Sequence, residues 1–213
     1  MPATGPALAE LTRPVVLRDG AAAVPSSWPA VARSRLLAAM AQRAAITGFL
    51  DVTVDDVIVT ARASRRTFYE HFANREECMY ATYDAIRDDA LAIVTEAGPG
   101  LEPALSALLR YFAAWPAHAR VLCIDILAVG PEGLARHEQT MTRLAAAIVR
   151  YQDPQERRAP GALRSDDVAH AVLGAVHRII QRRLIDGRHA SLPRLAPAIC
   201  TLLAAERRAA VTP

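Results

Sequence analysis

Lysine is absent from the sequence, and all 25 basic residues are arginine. Two explanations of this bias stay open. A genome rich in G and C produces it, and the planar arginine fork also suits phosphate and guanine better than an ammonium group does. The net charge of +3 and the pI near 9.0 are only mildly basic. Charge alone therefore identifies no partner.

Aromatic residues are scarce at 5%, whereas 52% of the residues are hydrophobic, so the core must be mainly aliphatic. Such a composition favours close-packed helices over sheet. The 3 cysteines lie far apart, which predicts no disulfide framework and a reducing compartment. We find neither a signal-peptide pattern nor an apolar run of membrane-spanning length. The sequence therefore predicts a cytoplasmic protein without a membrane partner.

Patterns that carry catalysis are also missing. The sequence shows no Ser/His/Asp order, metal-ligand spacing, phosphate loop or dinucleotide fingerprint. We therefore expect no enzyme activity, no catalytic residue, no cofactor and no metal.

Helical periodicity interrupted by helix breakers runs along most of the chain, and no strand-like alternation stands out. Prolines and glycines make residues 1–30 a flexible arm in this prediction. The predicted helices cover about 31–47, 54–61, 65–72, 75–97, 102–115, 117–129, 132–151, 166–185 and 193–205. Thr53 and Ser64 are the predicted N-caps of the second and third helices. The predicted fold class is all-α, with a three-helix helix-turn-helix domain at 31–77 followed by a larger helical domain at 78–213.

The second and third helices are short, and a turn of about three residues separates them, as in a helix-turn-helix. At about 100° per residue, Phe68 and Phe72 mark the buried face of the third helix, and Arg66 and Glu70 lie opposite. Arg66 can then donate two hydrogen bonds to guanine, and Glu70 can accept a hydrogen bond from cytosine N4. The alternative is a solvent-exposed i,i+4 ion pair between these two side chains.

The stretch from Ala61 to Glu77, reading ARASRRTFYEHFANREE, resembles the signature of the TetR (tetracycline-repressor-like) family. The resemblance covers roughly residues 33–83, and beyond them only the helical layout fits. It implies a DNA-binding set in which phosphates fix the register and bases specify the sequence. The implied DNA-binding residues are Thr53, Ser64, Arg65, Arg66, Thr67, Tyr69, His71 and Arg75.

Two residues of the turn depart from the family pattern. Arg62 stands where the family usually has glycine, so strain is expected if the position needs a positive φ. Alternatively the turn tolerates arginine, and Arg62 becomes an extra phosphate clamp. Ala63 fills a slot that usually holds a larger apolar residue, so looser packing is expected there.

The resemblance also implies a homodimer built on the last two long helices, although the same pattern describes an ordinary core helix. The residues expected at the dimer interface are Val168, Ala171, Val172, Ala175, Val176 and Ile179. A small-molecule effector pocket is expected among amphiphilic side chains with apolar neighbours. The candidates are Tyr111, Trp115, His118, Cys123, Asp125, Met141 and His177, each of which is alternatively core filler, and Asp125 the partner of an arginine.

From these residues and the resemblance together, we predict a sequence-specific transcriptional regulator that binds a double-stranded operator. Repression relieved by an effector is the expected mode of action. The alternative is a dimeric helical adaptor or ligand sensor that has the same fold but does not bind an operator.

Overall fold

The computed structural model describes residues 28–98, 100–150 and 165–201, and every regular element within these ranges is helical. The predicted flexibility of the arm before residue 28 lies outside the described residues. So do the polar stretch at 153–164 and the end of the last predicted helix. None of the described helices combines the length and apolar character needed to cross a membrane.

The first four helices follow the predicted division of the chain. They are α1 (Trp28–Thr47), α2 (Val54–Ala61), α3 (Arg65–His71) and α4 (Arg75–Glu96), with a 3-10 turn at Phe49–Asp51. Helix α1 begins three residues earlier than expected. Pro29 lies in its first turn, where a missing N–H group costs nothing. Gly48 follows α1 with a φ of 80°, a conformation that glycine adopts without strain.

The later helices are α5 (Leu101–Ala114), α6 (Pro116–Cys123), α7 (Pro131–Arg150) and α8 (Ser165–Ile185). The prediction of one helix over 117–129 is wrong, because α6 stops at Cys123 and a 3-10 turn covers Asp125–Ala128. The last predicted helix does not begin at residue 193. A 3-10 segment at His189–Leu195 precedes the helical residues 196–201. Local periodicity did not indicate either 3-10 segment.

The described residues form two compact units, 28–90 with 115–137, and 91–114 with 138–201. The boundaries of these units do not coincide with residue 77. The boundary predicted at that residue, between a DNA-binding domain and a larger helical domain, stays a prediction. In the first unit, α1 contacts α2, α3 and α6, and the 3-10 turns at Phe49–Asp51 and Asp125–Ala128 contact each other. Its fully buried side chains include Leu36, Leu37, Met40, Phe68, Met79 and Tyr83.

The second unit is organised around the 3-10 segment His189–Leu195, which contacts both α5 and α8. Leu109 and Phe112 of α5, Ile180 of α8 and Leu192 are buried here. The buried hydrophobic side chains among the described residues of this unit are therefore aliphatic apart from Phe112, as the composition led us to expect.

Candidate nucleic-acid interface

Helix α2 begins with a reciprocal cap between Thr53 and Asp56. The Thr53 hydroxyl accepts from the Asp56 amide at 3.1 Å, and the Thr53 amide donates to the Asp56 carboxylate at 3.0 Å. The hydroxyl also donates to that carboxylate at 2.6 Å. These hydrogen bonds from Thr53, followed by the charge of Arg43 at 3.1 Å, lower the pKa of Asp56. Thr53 is thus the N-cap that was predicted, and its hydroxyl proton is already engaged within the chain.

The turn between α2 and α3 has an unusual backbone at Arg62, whose φ of 51° and ψ of 45° place it in the left-handed region. Two hydrogen bonds close the turn, from the Arg62 amide to the Val59 carbonyl at 3.2 Å and from the Ala63 amide to the Ile58 carbonyl at 2.9 Å. Arg62 therefore has the positive φ for which strain was expected at this position. An L-residue in this conformation costs roughly 1–2 kcal/mol, a penalty that glycine does not have.

Helix α3 is held at its start by Ser64 and from beneath by two phenylalanines. The Ser64 hydroxyl accepts from the Thr67 amide at 3.0 Å and lies 2.8 Å from the Thr67 hydroxyl. Phe68 is 0% exposed and Phe72 is 3% exposed. This orientation turns the opposite face of α3 outward, as the 100° spacing predicts.

We call the outward side chains of this helix and its cap the α3 surface. It comprises Ser64, Arg65, Arg66, Thr67, Tyr69 and Glu70. Arg66 Nε lies 2.9 Å from Glu70 Oε1, with 89% and 53% of the two side chains exposed. The side chains therefore form the i,i+4 ion pair that was the alternative prediction. Such a pair is worth only a few tenths of a kcal/mol and yields readily to another partner.

The other side chains of the α3 surface differ in how they are held. Arg65 pairs with Asp55 of α2 at 2.5 Å, with more than half of each side chain exposed. Tyr69 is 50% exposed and meets the Phe68 ring edge-on at a centroid distance of 5.4 Å. Half of the Tyr69 side chain is therefore in solvent, while its ring keeps contact with the buried Phe68.

Arg75 and His71 flank the α3 surface and are only partly exposed. The Arg75 guanidinium donates to the Leu50 carbonyl at 3.0 Å and to the Val52 carbonyl at 2.7 Å. It also lies 5.0 Å from the centre of the Phe49 ring. Arg75 thus secures the link between α1 and α2, a structural role that the sequence pattern did not indicate. Its predicted phosphate contact must use the N–H groups that remain.

The predicted effector-pocket residues are divided between the two units. Trp115, His118, Cys123 and Asp125 belong to the first unit, and Tyr111, Met141 and His177 to the second. The His118 ring stacks on the Trp115 ring at 5.7 Å, and burial lowers the pKa of His118 to about 4. Among these four side chains of the first unit, His118 is therefore buried and stacked on Trp115.

Asp125 is 3% exposed and pairs with Arg120, whose Nε lies 3.3 Å from Asp125 Oδ2. Burial raises the pKa of Asp125 to about 6, against the charge of Arg120 and a hydrogen bond from the Phe49 backbone. The structure therefore shows the alternative that was predicted for Asp125, an ion pair with an arginine. The Phe49 contact also joins the 3-10 turn after α6 to the link between α1 and α2.

The predicted dimer residues do not all lie on one face of α8. Ala171, Ala175 and Ile179 are exposed, and Gly174 and Arg178 lie beside them on the same side. Val176 is only 6% exposed, so its side chain belongs to the core of the second unit. The side chains of Val168 and Val172 lie outside the described residues. Among the described side chains of the set, Ala171, Ala175 and Ile179 therefore form an exposed strip, and the dimer interface stays a prediction.

Solved structures with the same arrangement of helices are transcriptional regulators. Fatty acid degradation regulator FadR from Bacillus halodurans superposes with a TM-score of 0.64 at 15% identity, covering 86% of this chain and 96% of that chain. A TetR-family transcriptional regulator from Syntrophomonas wolfei superposes with a TM-score of 0.59 at 15% identity, covering 85% of this chain and 95% of that chain. The dihydroxyacetone kinase operon activator DhaS superposes with a TM-score of 0.56 at 18% identity, covering 83% of this chain and 96% of that chain.

No protein-family model and no curated protein matches the sequence. At identities of 15–18% the likeness to the solved structures establishes the fold. The chain therefore has the all-α fold of TetR-family regulators, with a helix-turn-helix followed by further helices, as the sequence predicted.

Proposed function

We propose that this protein is a sequence-specific DNA-binding transcriptional regulator of the TetR kind, which reads the major groove of an operator with α3. One observation carries the proposal: α3 is anchored by two buried phenylalanines and presents Arg66, Tyr69 and Glu70 to solvent. The second helix of a helix-turn-helix enters the major groove, where arginine recognises guanine and glutamate recognises cytosine. The fold shared with known transcriptional regulators supports the same assignment.

The α3 surface is electrostatically prepared for such a partner. Arg65 and Arg66 are each neutralised by an exposed carboxylate, so the free protein keeps two guanidinium groups in water at little cost. A phosphate or guanine can replace either carboxylate, because exposed ion pairs contribute little to stability. Thr53, Ser64, Thr67, His71 and Arg75 complete the proposed contact set at the edges of this surface.

The test is selection of bound duplexes from a random DNA library, with the double variant Arg66→Ala/Tyr69→Ala as the matched control. We expect the wild-type protein to recover a palindromic motif with half-sites about one helical turn apart, or somewhat more. The double variant should bind that motif about 100-fold more weakly, since it loses one base contact and one phosphate contact. Equal affinity of the two proteins, or no enriched motif with wild type at low salt, favours the adaptor alternative.

We further propose that the protein acts as a homodimer through the exposed strip of α8. Ala171, Gly174 and Ala175 are small enough to let a partner helix approach closely, and Ile179 adds an apolar contact. The mass in solution should then be twice the 23.0 kDa of the chain. Ala175→Glu should yield monomer, whereas Ala190→Glu, also at an exposed alanine, should leave the dimer intact. A wild-type monomer at micromolar concentration contradicts the proposal.

The mode of regulation that we propose is repression relieved by a small-molecule effector, an extension that rests on the sequence resemblance. Trp115, His118 and Cys123 are the candidates for effector contact in the first unit. Asp125 is the weakest of the predicted set because Arg120 already occupies it. Tyr111, Met141 and His177 stay predictions. An effector should weaken operator binding, and His118→Phe should reduce the response to the effector more than it reduces affinity for the operator.

A further inference from the structure

A left-handed arginine in the turn before α3 is the least expected feature of this region. Six described residues have a positive φ, and the other five are Gly48, Gly98, Gly100, Gly130 and Gly187. The chain thus uses glycine wherever else the described backbone takes this conformation. Among the described residues with a positive φ, only the one in the turn that leads into α3 has a side chain, and that side chain is a long cation.

The packing around Arg62 supplies no reason for the arginine. Its side chain is exposed. Within the described part of the first unit it is the one arginine whose guanidinium has no hydrogen bond, ion pair or ring contact. The turn itself is closed by backbone hydrogen bonds from Arg62 and Ala63, which any residue can make. The fold therefore gains nothing from this guanidinium and would be better served by glycine.

A second arginine and the start of α3 lie next to Arg62. Arg62 precedes the α3 N-cap, Ser64, by two residues, and Arg35 of α1 donates to the Arg62 carbonyl at 3.2 Å. Two arginines thus meet at the turn where the chain enters the proposed groove-reading helix. Resting on the proposed function, we propose that Arg62 is an additional DNA-backbone clamp that binds a phosphate beside the groove entered by α3.

A phosphate contact leaves a signature that a base contact does not. It adds to the salt dependence of binding, because each neutralised phosphate releases about 0.9 of a counterion. It also acts equally on all sequences, since phosphates carry no base identity. Removal of Arg62 should therefore weaken binding and flatten its salt dependence without altering the preferred motif.

The experiment compares Arg62→Gly, Arg62→Asn and Arg62→Lys with the wild-type protein on the selected duplex, from 50 to 300 mM KCl. We expect Gly and Asn to weaken binding about tenfold, the loss typical of one charge-assisted hydrogen bond. They should also reduce the slope of log K against log salt by about 0.9. Lysine keeps the charge and should retain most of the affinity. Arg194→Ala, at an exposed arginine of the second unit, controls for loss of one positive charge.

Unfolding cannot explain a loss in Arg62→Gly, because glycine relieves the strained φ and the melting temperature should stay the same or rise. Wild-type affinity and slope in Arg62→Gly overturn the clamp while leaving the proposed function intact. A changed motif preference overturns it as well, since the side chain would then read a base. Failure of the wild-type protein to bind any duplex contradicts the proposed function and the clamp together.

Discussion

The α3 surface and the segment 115–137 belong to the same compact unit, yet they place polar side chains in opposite surroundings. On the α3 surface, Arg66 and Glu70 stand in water, where a charge costs little and a weak ion pair is easily exchanged. In the segment 115–137, His118 and Asp125 are each 3% exposed, and burial shifts both pKa values toward the neutral form. Affinity for DNA should therefore depend on the α3 surface. The free energy of unfolding and its pH dependence should depend on the segment 115–137.

The sharpest form of this comparison lies within α3, between two neighbouring aromatic residues. Phe68→Ala removes a fully buried ring and should lower the free energy of unfolding by about 3–5 kcal/mol. Tyr69→Ala removes a half-exposed ring and should lower it by less than about 1 kcal/mol while weakening DNA binding. Urea denaturation measures both values. A Tyr69→Ala loss as large as that of Phe68→Ala would mean that Tyr69 is structural and would remove it from the proposed contact set.

The second prediction concerns the pH dependence of stability in the segment 115–137. Because the pKa of Asp125 is raised from 3.8 to about 6, its stabilising contribution is present below pH 4 and lost as pH rises through 6. Because the pKa of His118 is lowered from 6.5 to about 4, its contribution is present above pH 6.5 and lost as pH falls through 4. Each shift corresponds to about 3 kcal/mol, so in the wild-type protein the two nearly cancel.

Single variants should uncover the two opposing contributions. Relative to wild type, Asp125→Asn should lose up to about 3 kcal/mol of stability between pH 6.5 and pH 4, and His118→Asn should gain a similar amount. The measurement is the unfolding free energy at pH 4, 5, 6 and 7, with each difference referred to pH 7. Glu138→Gln, at an exposed position, serves as the control and should track the wild-type profile. Parallel profiles for all four proteins would show that burial does not set these pKa values.

The smallest expected effect belongs to the cap that positions the two short helices. Thr53→Ala removes a hydroxyl that exchanges hydrogen bonds with Asp56 and should cost about 1 kcal/mol of stability. Thr53→Ser keeps that hydroxyl and should stay within about 0.5 kcal/mol of wild type. If the proposed role of Thr53 at the DNA backbone is correct, the alanine variant should also bind the selected duplex more weakly. Unchanged DNA binding would restrict Thr53 to capping.

Much of this architecture follows from the sequence alone. The boundaries of α2 and α3, both N-caps and the inward face of Phe68 and Phe72 were predicted, because each depends on residues at most four positions apart. Helix geometry fixes which of those neighbours can meet. The possibility of strain at Arg62 was equally local, since it depended on a single residue in a turn that usually needs glycine. The composition likewise predicted an aliphatic all-α fold.

Tertiary structure decided the features that depend on distant partners. Arg75 binds carbonyls 23 and 25 residues away and thereby acquires a structural role. Asp125 lies against Arg120 and the Phe49 amide, and the helix predicted over 117–129 stops before it. Val176 is buried in the core of the second unit although its neighbour Ala175 is exposed. The sequence shows which residues are apolar or charged, and its periodicity shows which of them share a helix face. Only the folded chain determines which distant partner comes within about 3–4 Å, because that distance depends on every intervening turn.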